Sequence, residues 1–192
     1  MNNRGFWGVA ISCPKYTVNT GSLWRSADIM GADVLVLIDP EKRGEMHRKR
    51  LIDGVAGTRR DYALSGIPGV AQASDVLSSA RHMPVICVSG SASIRETFPT
   101  ARIVGVECPD VAKRMGRESV QLRVYQHYER AIYILGAEDN GLRREDIEQC
   151  DDLIYIESAR SSSLNLACAG TVVCADRFAK MARASALAQV TK

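Results

Sequence analysis

Three short polar segments of the 192-residue chain have residue types and spacings that could do chemistry. The first runs from Asn19 through Gly21 to Arg25, and its pattern predicts a helix that Asn19 is placed to cap. The Arg25 guanidinium is flanked by the apolar Trp24 and Ala27. A guanidinium with apolar neighbours either extends to solvent or holds a phosphate or carboxylate, and spacing alone favours the first interpretation.

The second segment, Gly136 to Arg143, follows an apolar run and places Glu138 between two glycines. It matches neither the dinucleotide-binding GxGxxG pattern nor the phosphate-binding GxxxxGK[ST] pattern. A carboxylate at this position suits a cation or a sugar hydroxyl better than a phosphate. The plain alternative is a tight turn from strand to helix, which the glycines alone favour.

The third segment, Ser161-Ser-Ser-Leu-Asn-Leu-Ala-Cys-Ala-Gly170, combines hydroxyls, one amide and small side chains. Ser163 and Asn165 could stand at the start of a helix whose small residues pack tightly. The same short polar groups could line a shelf on which a ligand lies. Both interpretations can hold for the same atoms.

The elements that must position these segments alternate along the chain. Apolar runs with little polar alternation are separated by stretches of helical spacing, which predicts an α/β fold, a mostly parallel sheet with helices on both faces. The predicted strands are Phe6 to Ile11, Val34 to Ile38, Val85 to Val88, Ile103 to Val106, Ala131 to Leu135 and Leu153 to Ile156. Helical spacing is found at Leu23, Ala27 and Met30, at Val76, Leu77 and Ala80, and from Leu142 to Cys150.

Two further segments complete this outline. The Ala-rich stretch from about Leu164 to Lys192 predicts one long C-terminal helix. Gly54 to Gly69, which contains four glycines and one proline, predicts a mobile loop. Because ligands bind at the carboxyl ends of parallel strands, we expect the three polar segments to converge there.

Composition limits the class of protein. Hydrophobic residues make up 46% of the chain and charged residues 24%, as in a globular protein, and the length fits a single domain over residues 1–192. The sequence has no apolar stretch long enough to cross a bilayer and no apolar secretory core at its N-terminus, which predicts a cytoplasmic protein. The cysteine spacing suits neither zinc nor a disulfide framework, so we expect buried thiols at positions 13, 87, 108, 150, 168 and 174.

Positive charge is concentrated between Glu41 and Arg60, although the net charge of the chain is only +3. The stretch has seven basic side chains against three acidic ones, and His47 adds to them when protonated. One hypothesis is a loop that binds nucleic-acid phosphates, and the other is a solvated loop. The basic residues are Lys42, Arg43, Arg48, Lys49, Arg50, Arg59 and Arg60.

The three histidines give little support to a hydrolytic mechanism, because no serine or cysteine nucleophile motif accompanies them. His82 and His127 each stand near an arginine, and we expect them to make hydrogen bonds in the core or in loops. The sequence shows no metal-ligand spacing, so no metal is expected.

Taken together, the three polar segments resemble the three motifs of the SpoU branch of the SPOUT superfamily. All three occur in order, and the likeness extends over nearly the whole chain, from about Phe6 to Phe178. One such motif would be a weak signal, whereas three in order are a strong one. The matching residues are Asn19-x-Gly21-x-x-x-Arg25-x-Ala27, Gly136-x-Glu138-x-x-Gly141-Leu142 and Ser163-Leu-Asn165-Leu-Ala167.

The resemblance implies an RNA methyltransferase that moves a methyl group from S-adenosylmethionine to a ribose 2′-hydroxyl of tRNA or rRNA. It also implies a homodimer and a C-terminal trefoil knot that holds the bent cofactor. Carried over to this sequence, the catalytic residues are Arg25, Asn19, Glu138, Ser163 and Asn165. The implied cofactor contacts are Val106, Glu107, Leu135, Gly136, Ala137, Glu138, Gly141, Ile156, Ser163 and Leu164.

This reaction is a displacement at carbon, so the oxygen, the methyl carbon and the sulfur must lie in line and positioning should supply much of the rate. The family assigns the residue that matches Arg25 to activation of the hydroxyl. A guanidinium stays protonated in proteins and is therefore a poor base, so Arg25 could have a second role. In that role Arg25 holds the adjacent phosphate and stabilises negative charge as it develops on the oxygen.

Two other functions compete with this one. A methyltransferase-like fold could bind RNA or a nucleotide without catalysis, although the presence of Asn19, Arg25, Glu138 and Asn165 argues against such a module. A nucleotide-dependent oxidoreductase is disfavoured, because no GxGxxG pattern follows any predicted strand.

Overall fold

The computed structural model describes residues 5–40, 44–61, 83–160 and 163–190. These residues form a seven-stranded sheet in which all neighbouring strands are parallel, in the order β3-β2-β1-β6-β4-β7-β5. The strands are β1 (Trp7–Ser12), β2 (Val34–Ile38), β3 (Val85–Val88), β4 (Arg102–Val106), β5 (Val120–Gln121), β6 (Ala131–Leu135) and β7 (Asp152–Tyr155).

Helices cover both faces of this sheet. On one face α1, α2 and α6 bury residues such as Leu23, Leu51 and Val173 in a first core. On the other face α3, α4 and α5 contribute to a second core through Ile94, Ala112 and Ile147. None of the described helices combines the length and hydropathy that crossing a membrane requires. The helices are α1 (Thr17–Ile29), α2 (Glu45–Asp61), α3 (Ala92–Thr97), α4 (Pro109–Arg114), α5 (Arg144–Gln149) and α6 (Leu166–Val190).

The predicted α/β class and all six predicted strands are confirmed, with ends that differ by one residue at most. Every residue of the central strands β1, β2 and β6 is buried, which explains why their sequences are apolar up to Ser12 at the end of β1. The short edge strand β5 was not predicted, because two residues carry no periodicity. The long C-terminal helix is also confirmed, and it begins at Leu166.

The prediction of a loop across the basic stretch is wrong from Glu45 onward, because α2 continues to Asp61. The buried Leu51 and Val55 are spaced four residues apart and anchor this helix to the first core. The helix continues through Gly54, where an added Cβ would lie only 3.1 Å from the Cβ of Thr17 in α1. The glycine therefore permits close helix packing. Lys42, Arg43 and the rest of the predicted loop, residues 62–69, lie outside the described residues.

The cysteine prediction holds only in part. None of the six cysteines forms a disulfide, and burial raises the pKa of Cys150 and of Cys174 to about 12. Cys108 and Cys168 are exposed and Cys13 and Cys87 are half-buried, which corrects the expectation that every thiol is buried. Cys108 follows the end of β4, and Cys168 lies on the outer side of the first turn of α6. The predicted helical stretch at residues 76–80 and His82 fall outside the described residues.

Candidate active site

A cavity of about 600 Å³ opens at the carboxyl ends of β4, β6 and β7. This volume is in the range of sites that bind nucleotide-sized ligands. The cavity is lined by all ten residues that the sequence analysis assigned to cofactor binding, which are Val106, Glu107, Leu135, Gly136, Ala137, Glu138, Gly141, Ile156, Ser163 and Leu164. The structure thus brings the whole set together, and its role in binding a cofactor stays a prediction.

The lining of this cavity is apolar on one part and acidic on another. Val106, Leu135, Ile156 and Leu166 offer an apolar surface that suits a flat aromatic ring. Carboxylates outnumber cations, which favours a positively charged ligand and disfavours a pyrophosphate. The acidic lining residues are Glu107, Asp110, Glu138, Asp139 and Glu157, and the basic lining residue is Arg160.

The loop after β6 forms one wall of the cavity as a tight turn. Ala137 and Gly141 exchange two backbone hydrogen bonds, 3.1 Å and 3.0 Å long. A Cβ on Gly136 would lie 1.9 Å from the carbonyl carbon of Gly141, so the close approach requires glycine. The Leu142 amide donates to the Glu107 carboxylate at 2.6 Å, which fixes the end of the turn to the end of β4. The predicted turn is therefore confirmed, and it lies at the mouth of a cavity.

Glu138, at the tip of this turn, is bound to the start of α1. Its carboxylate accepts hydrogen bonds from the backbone amides of Lys15 and Tyr16, at 3.2 Å and 3.3 Å. The Asn19 side-chain amide donates to the same carboxylate at 2.8 Å. A negative charge at a helix N-terminus is favourable, so these contacts stabilise the start of α1.

The prediction that Asn19 caps α1 is wrong. Asn19 is the third residue of the helix. The N-cap is Tyr16, and the Tyr16 side chain makes no capping hydrogen bond. Glu138 provides the acceptor from a site 119 residues away in the chain. The Asn19 side chain is free to bridge instead, because its oxygen accepts a hydrogen bond from the Asn165 amide at 3.1 Å. The three predicted motifs therefore meet at one asparagine.

Asn165 does cap a helix, as predicted. Its side-chain oxygen accepts hydrogen bonds from the backbone amides of Ala167 and Cys168 at 2.9 Å and 3.4 Å, at the start of α6. Gly170 lets α6 press against α1, since a Cβ there would lie 2.3 Å from the Leu23 side chain. Ser163, just before the helix, is exposed and lines the cavity. The third segment is thus both a helix start and part of a cavity wall.

Arg25 is placed differently from the other predicted catalytic residues. It lies on α1 two turns beyond Asn19, its side chain is exposed, and it does not belong to the lining of the cavity in the single chain. Asn19, Glu138 and Asn165 are joined by hydrogen bonds, and Ser163 lies on the cavity wall. The structure therefore brings together four of the five predicted catalytic residues.

An ion-pair network that was not predicted from the sequence supports the turn from behind. Arg143 donates to Asp39 at 2.7 Å, to Asp146 at 2.9 Å and to the Ser12 hydroxyl at 3.1 Å. Burial raises the pKa of the Asp146 carboxyl, but Arg143 and Ser12 outweigh that effect and hold the pKa below its usual value. The network fixes the segment after Gly141 to the ends of β1 and β2. The motif spacing contains no signal for it, because Asp39 is 104 residues from Arg143.

No group of three or more histidine, cysteine, aspartate or glutamate side chains within the described ranges is arranged to hold a metal ion.

A sequence model of the SpoU rRNA Methylase family matches residues 8–175, which include all of the site described above. This chain belongs to the SpoU rRNA methylase family. A comparison of the SpoU chain with curated proteins found no match.

Solved structures share the SpoU fold at low sequence identity. The SpoU methyltransferase AviRb from Streptomyces viridochromogenes, in complex with AdoMet, superposes with a TM-score of 0.66 and 20% identity over 92% of this chain and 58% of that chain. An AdoMet-bound rRNA methyltransferase from Sinorhizobium meliloti gives 0.61 and 20% over 90% and 56%. This chain therefore spans less than two thirds of either protein.

A third solved structure is similar to this SpoU chain over more than nine tenths of both proteins. It concerns the 2-OH methylation of C/U34 on tRNA, and it superposes with a TM-score of 0.62 and 18% identity over 93% of this chain and 98% of that chain. At these identities the likenesses establish the α/β fold with its parallel sheet.

Proposed function

We propose that this SpoU chain transfers the methyl group of S-adenosylmethionine to a ribose 2′-hydroxyl of tRNA or rRNA. The observation that carries the proposal is the hydrogen-bonded chain Glu138–Asn19–Asn165. It joins residues from all three motifs at the rim of a cavity that all ten predicted cofactor contacts line.

The chemistry of the cavity fits this cofactor. S-adenosylmethionine carries a sulfonium and an ammonium, which an excess of carboxylates stabilises, while its adenine ring suits the apolar wall. When bound there, it supplies an electrophilic methyl group. A nicotinamide dinucleotide has a pyrophosphate that the same carboxylates would repel, which disfavours the oxidoreductase alternative.

The residues of the chain would act mainly by positioning. In the reaction the ribose oxygen forms a bond to the methyl carbon, the bond from that carbon to sulfur breaks, and the hydroxyl loses its proton to the solvent. Asn19 and Asn165 hold Glu138 and the start of α6 in fixed relation, so that the two cavity walls keep their spacing. Arg25 holds the neighbouring phosphate and stabilises the negative charge that develops on the oxygen.

Arg25 does not line the cavity of its own chain. We therefore propose that the protein works as a homodimer, in which Arg25 reaches the cavity of the partner subunit. The outer stripe of α1 exposes Val18 by 75% and Ile29 by 58%, with Arg25 between them, and α6 exposes Phe178 by 58%. Apolar side chains exposed on two helices that pack together favour a protein interface. In a two-fold dimer, each subunit can then supply its Arg25 to the cavity of the other.

The activity is tested by incubating the protein with tritiated S-adenosylmethionine and total RNA, followed by mass-spectrometric mapping of 2′-O-methyl nucleotides. RNA from cells with and without the gene identifies the position in the same way. Calorimetric titration with S-adenosylhomocysteine and with NAD separates the cofactor classes. Cofactor and RNA binding without transfer to any RNA pool would favour the non-catalytic binding module.

The dimer is tested by complementation. Arg25→Ala leaves the cavity intact, whereas Ala137→Trp fills the cavity and leaves Arg25 in place. If Arg25 acts in the cavity of the partner subunit, a mixture of the two inactive variants regains activity in the mixed dimer. A mixture that forms heterodimers, as shown by native mass spectrometry, and stays inactive would show that Arg25 serves its own subunit.

A further inference from the structure

The second turn of α2 carries two exposed cations, and an exposed aromatic ring lies at the start of α1, the helix that packs against α2. Lys49 and Arg50 are both exposed, and Tyr16, at the start of α1, is 49% exposed. We infer that these three residues, the α2 basic patch, bind the RNA strand that flanks the methylated nucleotide, with the cations on its phosphates and the ring against a base. The inference rests on the proposed function and gives a role to the basic stretch that the motifs leave unexplained.

Two contacts place the patch next to the N-terminal segment of α1. The His47 ring nitrogen Nε2 lies 2.9 Å from the carbonyl oxygen of Pro14. Further along α2, Gly54 packs against Thr17. The segment from Pro14 to Thr17 therefore runs beside the stretch of α2 from His47 to Gly54. Lys49 and Arg50 lie about 6–8 Å before Gly54 along the helix axis, toward the carboxyl edge of the sheet.

The same segment reaches the cavity. The amides of Lys15 and Tyr16 donate to Glu138, which lines the cavity and bonds to Asn19. The patch and the proposed methylation site are thus connected through four consecutive residues after β1. An RNA strand that enters the cavity at Glu138 would cross this segment on its way to α2.

Charge explains why such a patch is needed. Five carboxylates and one guanidinium line the cavity, so the cavity itself repels an RNA backbone. Attraction of the polyanion must come from cations outside the lining. Lys49 and Arg50 make no ion pair with another described residue, so their charges are directed to solvent. Cations near the N-terminus of a helix also gain nothing from its dipole, so helix stability does not account for them.

Tyr16 adds a surface for a base. Its ring is partly exposed, and the Lys15 ammonium lies 4.9 Å from the ring centroid. Proteins that bind single-stranded nucleic acid combine cations that follow the backbone with aromatic rings on which bases stack. A flipped-out or loop nucleotide beside the target ribose fits this arrangement, whereas a regular duplex would leave no base for the ring.

The test uses the double variant Lys49→Ala/Arg50→Ala of the full chain, with filter binding of unfractionated tRNA as a probe of phosphate contacts. We expect the Kd for RNA to rise about tenfold, and the slope of log K against log salt to become shallower by about 1.4–1.8, for two lost phosphates. In the methylation assay KM for RNA rises with little change in kcat. Affinity for S-adenosylhomocysteine stays at the wild-type value.

The matched control is Lys113→Ala/Arg114→Ala, which removes the same pair of side chains from α4 on the opposite face of the sheet. We expect it to change the RNA Kd by less than about twofold. Tyr16→Ala is expected to weaken RNA binding about fivefold, and Tyr16→Phe to retain it.

Equal weakening by the two double variants would overturn the inference in favour of diffuse attraction, and so would unchanged RNA binding by the α2 variant. Unchanged RNA binding together with a lower mass in sedimentation would instead assign the patch to a subunit interface. These outcomes are independent of the proposed function, because filter binding reports on the patch even if the wild-type protein transfers no methyl group.

Discussion

The carboxyl and amino edges of the sheet both carry polar networks beside an open pocket, of about 600 Å³ and 580 Å³, but the charges that line the two pockets differ. Five carboxylates and one guanidinium line the carboxyl-edge pocket, whereas three guanidinium groups and two carboxylates line the amino-edge pocket. At the carboxyl edge, Glu138 and Asn19 lie at the rim of a 600 Å³ space with an excess of carboxylates. At the amino edge, Arg102 forms two hydrogen bonds to Asp152, at 2.8 Å and 2.9 Å, and Tyr125 donates to the same carboxylate at 2.9 Å. The amino-edge charges are therefore balanced within the fold.

The amino-edge network continues into the core through α6. Arg177 is only 1% exposed, and its guanidinium lies 5.1 Å from the Trp7 ring and donates to the carbonyl of Glu129 at 3.0 Å. His127 lies between the Tyr133 hydroxyl at 2.6 Å and the Asp176 carboxylate at 2.8 Å, which confirms the predicted hydrogen-bonding role.

The difference between the edges shows which polar networks indicate function. Satisfied groups with balanced charge, as around Arg177, tie α6 to the start of β6 and stabilise the fold. Groups with unbalanced charge that face an open volume, as around Glu138, are available to a ligand. We expect variants at the amino edge to lower stability and variants at the carboxyl edge to lower activity.

The largest effect is expected for Arg177→Ala. Loss of the buried guanidinium leaves a cavity and two carbonyls without their donor, so the free energy of unfolding should fall by about 3 kcal/mol or more. Urea unfolding measures this change. The control is Arg183→Ala, an exposed residue on the same helix, with an expected change within about 0.5 kcal/mol. An equally small change for Arg177→Ala would contradict a structural role for the amino-edge network.

Arg25→Ala should lower the rate of methyl transfer by about 10²–10³-fold, the loss typical of one group that stabilises transition-state charge. Affinity for S-adenosylhomocysteine, measured by calorimetry, should stay nearly unchanged because Arg25 does not line the cavity. Arg25→Lys should not restore the rate if the planar fork of the guanidinium is required. Loss of cofactor binding in Arg25→Ala would count against this role.

Asn19→Asp should lower the rate about tenfold or more, because it sets a second carboxylate against Glu138 and removes the donor of the 2.8 Å hydrogen bond. Asn19→Ala removes the bridge without the repulsion and should be less harmful. Single-turnover methylation compares the two. If the alanine variant is the slower, the bridge rather than charge repulsion determines the rate.

The smallest expected effect is a pH dependence of the free energy of unfolding, which arises from His127 in the amino-edge network. Burial lowers the pKa of His127, with Arg177 and Lys180 acting in the same direction and Asp176 opposing them. The unfolded chain then binds the proton more readily, so stability is complete above about pH 6.5 and declines as the pH falls below it. The lowered pKa values of Asp146 and Asp152 remove stability only below about pH 4.

Urea midpoints at pH 7.5 and 5.0 measure this decline, and His127→Gln should reduce it. A wild-type midpoint that stays constant over this interval would show that burial does not disfavour the charged imidazole of His127.

Much of the framework could be predicted from the sequence because its signals are local. The strands β1, β2 and β6 are buried on both faces, so their sequences are apolar except at Ser12, whose hydroxyl is hydrogen-bonded to Asp146. The α2 helix was missed because glycines suggested a loop, whereas the neighbouring helix α1 made Gly54 a packing residue. The threading of a C-terminal knot remains a prediction from family resemblance, since no local pattern encodes a chain crossing.

The sequence by itself determined which residues could serve a methyl-transfer site, because motif types and their order are readable along the chain. Only the tertiary structure decided how they connect. Glu138 rather than Asn19 completes the start of α1, and Asn19 bridges to Asn165 instead. The physical reason is that a hydrogen bond depends on distance and direction in space, and partners more than 100 residues apart leave no periodicity by which one could be inferred from the other.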